Sequence, residues 1–183
     1  MEPGKHLILA ILTIVALSIA GCTTEDTSGP AGGPASQPGV DLQVMGDVVG
    51  HGVILQGVPR GTIDTITFQI GLAPGVKSID MDNLTIVYAD AVRTETLLPM
   101  TGVRSDNPPP GGWSLVTVIN EKGKSNNRLE FDEQAVIRIN PKSPVVPNQV
   151  ITVSVRPSNS NPLINRWVAP ATILPGDNIL TPL

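Results

Sequence analysis

Reactive side chains are scarce in this chain, and the most telling is its one cysteine, Cys22. It closes the run Ile19-Ala20-Gly21-Cys22, an aliphatic residue and two small ones followed by a thiol. Small side chains let a signal peptidase reach the bond before Cys22, and the thiol then accepts lipid as the first mature residue. The chemistry expected at Cys22 is therefore acylation. With that thiol consumed, no disulfide, thiolate metal site or cysteine nucleophile is available to the mature protein.

Two further places were weighed for chemistry. His51 is the one histidine beyond the signal, so any Ser-His-Asp arrangement would have to use it. Its neighbours Gly50 and Gly52 predict a turn and a solvated imidazole. Asp80-x-Asp82-Asn83 groups oxygens of the kind hard cations take. No EF-hand-type glycine and distal glutamate follow, so Asp80 and Asp82 are weak candidates and a turn held by local backbone bonds is the expectation. Asn83-Leu84-Thr85 is a sequon, which makes Asn83 a candidate for N-glycosylation. No HExxH, phosphate-cradling glycine loop or paired histidine ligands occur. The reading is of a non-enzyme without a cofactor.

The elements that must position these residues fall into three segments. Residues 1–21 carry an apolar run, Leu7–Ala20, shorter than the roughly 20 residues of a membrane span. Lys5 and His6 precede it, as in a lipoprotein-type signal peptide. A plain secretory signal and an uncleaved anchor helix are the alternatives, and each puts the rest of the chain outside the cytoplasm. Residues 22–40 form a Gly/Pro/Ser-rich tether, with too little apolar surface to offset the entropy of ordering. Residues 41–183 are long enough for a single domain with its own core. The net charge of −4 survives removal of residues 1–21, because Glu2 and Lys5 leave together. Dispersed, mildly acidic charge argues against nucleic acid as a partner and leaves membrane attachment to the lipid on Cys22.

Within 41–183 the apolar period is two. Ile66, Phe68, Ile70 and Leu72 alternate with polar or small residues, as do Leu84, Ile86 and Tyr88. Trp113–Ile119, Ala135–Ile139 and Ile151–Val155 follow, with weaker runs at Leu42–Asp47, Gly52–Val58 and Leu163–Val168. About eight short strands separated by Gly/Pro turns predict an all-β sandwich. The predicted core is Ile66, Phe68, Ile70, Ile86, Tyr88, Ile137, Ile139, Val153 and Val155. All five aromatic residues, Phe68, Tyr88, Trp113, Phe131 and Trp167, are expected to fill it.

Several of these segments, in order, resemble the globular part of archaeal flagellins, the archaellins. They are Asp41–Gly50, Thr62–Gly75 with its I-x-x-I-x-F-x-I-x-L-A-x-G spacing, and Ile79–Tyr88. Leu129–Ile139 and Val155–Pro170 continue the likeness. The resemblance implies an immunoglobulin-like antiparallel β-sandwich behind an N-terminal hydrophobic signal or anchor helix. It implies a structural role at the archaeal cell surface or archaellum, with surface-layer or archaellum proteins as partners. The family's accessory stator subunits offer a membrane-anchored precedent. The chain departs from the filament pattern in its apolar run, which lacks an acidic residue and gives way to the tether. The expectation is a lipid-tethered protein on the extracellular face of the membrane. A true filament subunit and a ligand-binding lipoprotein are the alternatives.

Overall fold

The computed structural model describes residues 39–54, 57, 60–123 and 125–183. Cys22, the predicted signal and nearly all of the 22–40 segment lie outside the described residues. Among those described, the helical content is one short 3₁₀ turn, Met81–Asn83. The rest of the regular structure is β, as the period of two predicts.

The strands in chain order are β1 (Leu42–Val53), β2 (Thr62–Leu72), β3 (Ser78–Asp80), β4 (Thr85–Ala89), β5 (Thr94–Pro99) and β6 (Gly112–Ile119). They continue with β7 (Arg128–Glu130), β8 (Gln134–Asn140), β9 (Val150–Arg156), β10 (Leu163–Val168) and β11 (Gly176–Pro182). Hydrogen bonding runs β1-β11-β10-β9-β4-β5-β6-β8-β2 and returns to β1, closing nine strands on themselves; β3 and β7 form a separate ribbon.

Closure is the main difference from the predicted pair of sheets. Two strands change neighbours along their length. In β11, Gly176–Leu180 pairs with β1, and Thr181 and Pro182 pair with β10. In β5, Thr94–Leu97 pairs with β4, whereas Leu98 and Pro99 pair with β6. The β5–β6 pair is parallel, so the sheet is not antiparallel throughout. Closing the ring satisfies backbone groups that free edges would offer to other chains.

All nine predicted core residues are buried, with Ile66, Ile70, Ile86, Tyr88, Ile137 and Ile139 fully so. Each is an inward position of a strand, and its polar neighbours point out. Four of the five aromatics are buried as expected, but Phe131 is 68% exposed. It occupies the β7–β8 turn, where Asp132 takes a positive φ of 66° and Glu133 N–H reaches back to Glu130 O at 3.1 Å. A reversal that tight turns the ring outward, above the ammonium of Lys122 at 6.0 Å.

Gly50 and Gly52 do not mark a turn either. The weak run Leu42–Asp47 and the first two residues of the run Gly52–Val58 belong to the single strand β1, whose ladder with β2 shifts register between Met45 and Val49 and again between His51 and Gly52. Both glycines make room for neighbours. A Cβ at Gly50 would lie 2.6 Å from Ile63, and one at Gly52 would lie 2.1 Å from the carbonyl oxygen of Leu174. Gly52→Ala is accordingly expected to destabilise the domain at the upper end of the roughly 1–3 kcal/mol typical of overpacking. The shift in urea midpoint measures it, and an unchanged midpoint would refute the steric argument.

Candidate interaction surfaces

The start of the domain is fixed at one end of the barrel. Val40 bridges Asn161 in the β9–β10 loop, and Asn161 Nδ2 donates to Gly39 O at 2.8 Å. β1 then runs twelve residues to Val53, about 35–40 Å at strand rise. The barrel thus has a near end, where the chain enters, and a far end beyond Val53.

The sequence's oxygen cluster lies at the near end. Asp80 caps the 3₁₀ turn: Oδ1 accepts from Asp82 N–H at 3.0 Å, and Oδ2 accepts from Asn83 Nδ2 at 2.9 Å. Asp82 Oδ1 accepts from Asn127 Nδ2 at 2.9 Å. Asp80 thus holds the turn through a local backbone bond, whereas Asp82 ties the turn to Asn127 just before β7. Asp80 and Asn83 border a groove of about 280 Å³ shared with Asp41, Arg128 and the β9–β10 loop. Asn83 is exposed on its rim. Arg128 is occupied there by Ser78 Oγ at 2.6 Å.

His51 sits elsewhere and in a different setting from the predicted loop. Its Nδ1 lies 2.8 Å from Asp177 Oδ1, and its Nε2 lies 2.8 Å from Thr67 Oγ1. Arg138 Nε donates to the same hydroxyl at 2.9 Å. The order Asp177–His51–Thr67 has the connectivity of a catalytic triad. Here it is a cross-strand ladder on the outer face, with His51 opposite Asp177 and Thr67 opposite Arg138. The Arg138 guanidinium N–H donates to the threonine oxygen and so engages one of its lone pairs. The flanking strands pair on both sides, which commits their N–H groups to ladders and leaves no built pair to receive an oxyanion. Such ladders contribute roughly 0.2–1 kcal/mol per pair to a sheet.

A stronger ionic contact pins the long β5–β6 connection. Arg104 Nη1 donates to Glu121 Oε2 at 2.6 Å, and Nη2 reaches Glu121 Oε1 and Asn126 O. The guanidinium beside Glu121 holds its carboxyl down at about 2. A lowered value means the pair's contribution is full above the ordinary carboxylate range, declines as pH falls below about 4.3 and is lost once pH has fallen through about 2. A carbon-detected NMR titration is expected to show Glu121 still ionised at pH 3, and Arg104→Gln should return its midpoint to near 4.3. A midpoint near 4.3 in the unaltered chain would disprove the latch. A second polar bracket ties the β4–β5 turn to the β8–β9 loop. Asp90 accepts from the N–H groups of Val92 and Arg93 and from Gln149 Nε2. Burial works against its charge, yet these bonds and the Arg93 guanidinium keep its carboxyl below the usual range.

The far end differs in character. Ile54 is 55% exposed and Leu174 60% exposed, and they line a depression of about 500 Å³ in which Pro147 and Ala171 alternate with the polar Arg60, Asn148 and Thr172. Val146, next to Pro147, is also exposed. The sequence did not single these residues out, because they stand in three loops and meet only once the barrel is closed.

Among the described residues the barrel offers two surfaces at its ends, the groove beside Asn83 and the depression beside Ile54 and Leu174. Residues 7–167 match the family described as archaeal-type flagellin, and the chain belongs to that family. Its fold is similar to that of archaeal flagellin FlaB1 from Methanocaldococcus jannaschii. That match has 15% identity and a TM-score of 0.59 and covers 76% of this chain and 95% of the other. A second similar structure is the archaeal flagellum of Methanospirillum hungatei strain JF1, at 14% identity and a TM-score of 0.50 over 76% and 71% of the two chains. The archaellum periplasmic stator complex FlaF and FlaG from Sulfolobus acidocaldarius matches at 14% identity and a TM-score of 0.46, over 76% and 98%. No curated protein matches the chain. Membership of this family makes the chain a structural, archaellum-related surface protein and not an enzyme.

Proposed function

We propose that this chain is a lipid-tethered accessory protein of the archaellum or the surrounding envelope. Its barrel is displayed on the extracellular face of the membrane, with archaellum or surface-layer proteins as partners. Family membership over residues 7–167 carries the reading. The Ile-Ala-Gly-Cys run adds the anchor, with lipid on Cys22. Residues 1–21 would be removed as signal peptide, and residues 22–40 would link the lipid to the domain that begins at 41. In this reading the barrel is a flattened, immunoglobulin-like sandwich. β5 and β11 act as the shared corners at which strands pass from one layer to the other. The near end faces the membrane, and the far end, with exposed Ile54 and Leu174 among polar neighbours, faces outward, toward a protein partner.

One observation favours the filament-subunit alternative. The family match begins at residue 7 and so takes in the apolar run Leu7–Ala20. The experiment that separates the readings shears motility filaments from cells and, in parallel, sediments surface-layer fragments. Co-sedimentation with the fragments and absence from the filaments is the expected result. Recovery as a repeating subunit of the sheared filament would overturn it in favour of polymerisation.

Asn83 is proposed as a glycan attachment site. Its side chain is exposed, and only the Asp80 carboxylate holds its amide nitrogen. Glycopeptide mass spectrometry of native protein should show a hexose-scale mass increment on the peptide containing Asn83, lost in Asn83→Gln. An unmodified native peptide would remove the proposal.

A further inference from the structure

The groove beside Asn83 lies between two parts of the chain. One wall is the 3₁₀ turn and its flank, with Ser78, Asp80 and Asn83, and the other is the β9–β10 loop at residues 157–160. Strand register brings the two together. β4 and β9 pair antiparallel, with Ile86 opposite Val155 and Thr85 opposite Arg156. Carried two residues past the end of that ladder, the same register sets Asn83 level with Ser158. Ser158 and Asn159 are exposed, and they bring a hydroxyl and an amide to the wall facing Asn83.

The amide of Asn83 is already held at its wall. Its Nδ2 donates to Asp80 Oδ2 at 2.9 Å, and Asp80 Oδ1 accepts from the Asp82 N–H at 3.0 Å. A side-chain amide nitrogen carries two hydrogens. Asp80 engages one, which leaves the other to be replaced by a glycosidic bond. A sugar attached there starts at the wall of the groove and not in open solvent. At about 280 Å³ the groove falls just below the roughly 300–1,000 Å³ of drug-sized pockets. It therefore suits a single sugar ring and leaves the rest of a glycan outside.

We propose that the first sugar of a glycan on Asn83 folds back into this groove and bridges the 3₁₀ turn to the β9–β10 loop, with its ring hydroxyls on Ser158 and Asn159. This bridge rests on the glycan attachment at Asn83 proposed above, and it gives the sugar a structural task. The task follows from what the loop holds. Asn161 Nδ2 donates to Gly39 O at 2.8 Å, and Val40 bridges Asn161. A sugar that steadies residues 157–160 steadies the point at which the chain enters the barrel. Because the sugar is covalently tied to one wall, its contact with the other is intramolecular and needs no free ligand. The bridge is the same whether the protein is an accessory subunit or a filament subunit.

Hydrogen exchange at the backbone amides of residues 158–161 tests the bridge in three forms of the protein purified from its own cells: unaltered, Asn83→Gln and Thr85→Ala. Thr85→Ala removes the sequon but keeps Asn83 and its bond to Asp80, and Thr85 is exposed at the start of β4. Glycopeptide mass spectrometry of each sample reports whether the glycan is present. The expected result is a glycan on the unaltered chain alone, with the loop amides exchanging about tenfold faster in both variants and the amides of β2 unchanged in all three. A glycan on Asn83 together with equal loop exchange in the unaltered and Thr85→Ala forms would overturn the bridge and leave attachment standing. Faster exchange in Asn83→Gln alone would assign the protection to the Asp80 cap and overturn the bridge as well. An unmodified Asn83 in the unaltered chain would overturn both the attachment and the bridge.

Discussion

A Cys22→Ser chain is expected to leave the membrane fraction or to persist there only as the uncleaved precursor. Acyl chains contribute roughly 0.8 kcal/mol per buried methylene, and stable attachment takes two chains or one chain with a second signal. The described part of the chain offers little to compensate. None of its helices is long and apolar enough to cross a membrane, and a net charge of −4 gives no attraction to anionic headgroups. On the proposed lipid anchoring, a Cys22→Ser chain that is cleaved should therefore lose membrane attachment. Intact-mass measurement of native protein provides the check. The expected species begins at Cys22 and carries a lipid increment, and a mature N-terminus at any other residue would sink the anchor.

The second large effect concerns the core. Phe68 is 1% exposed on β2, between its β8 partner Ile137 and the rest of the barrel interior. Phe68→Ala should cost about 3–5 kcal/mol, a large share of the roughly 5–15 kcal/mol that holds a domain together. Phe131→Ala is the internal control. Its ring is exposed in the β7–β8 turn, so the loss should stay within about 0.5 kcal/mol. Urea unfolding of the two variants should separate them clearly. Similar midpoints would mean that the inward register of β2 is wrong.

The strands that could be read from sequence are those that bury three or more alternating residues. β2, β4, β6, β8 and β9 qualify or nearly do, and their cores follow from the period of two. β5 and β11 escaped notice for the opposite reason. In β5 only Leu97 is buried, and in β11 only Asn178 and Leu180 are. These are also the strands that change partners and close the ring, so the sequence pattern was silent where the topology is decided. Local pattern likewise misplaced His51. Two glycines beside a histidine suggest a turn, but these two clear space for Ile63 of β2 and for Leu174 of the β10–β11 loop, which arrive from elsewhere in the chain. The Asp80 turn was legible because its bonds are local.

The entry point of the chain also determines how the domain carries a load. Asn161 secures Gly39 and Val40 just before β1, and β1 is laddered to β2 on one side and to β11 on the other. Tension between the membrane and a partner gripping the far end would act along the length of β1. Its cross-strand bonds would then be loaded together in shear, and would not open one at a time as in a zipper. A domain held at these two ends would gain rupture resistance from this geometry alone, without added thermodynamic stability.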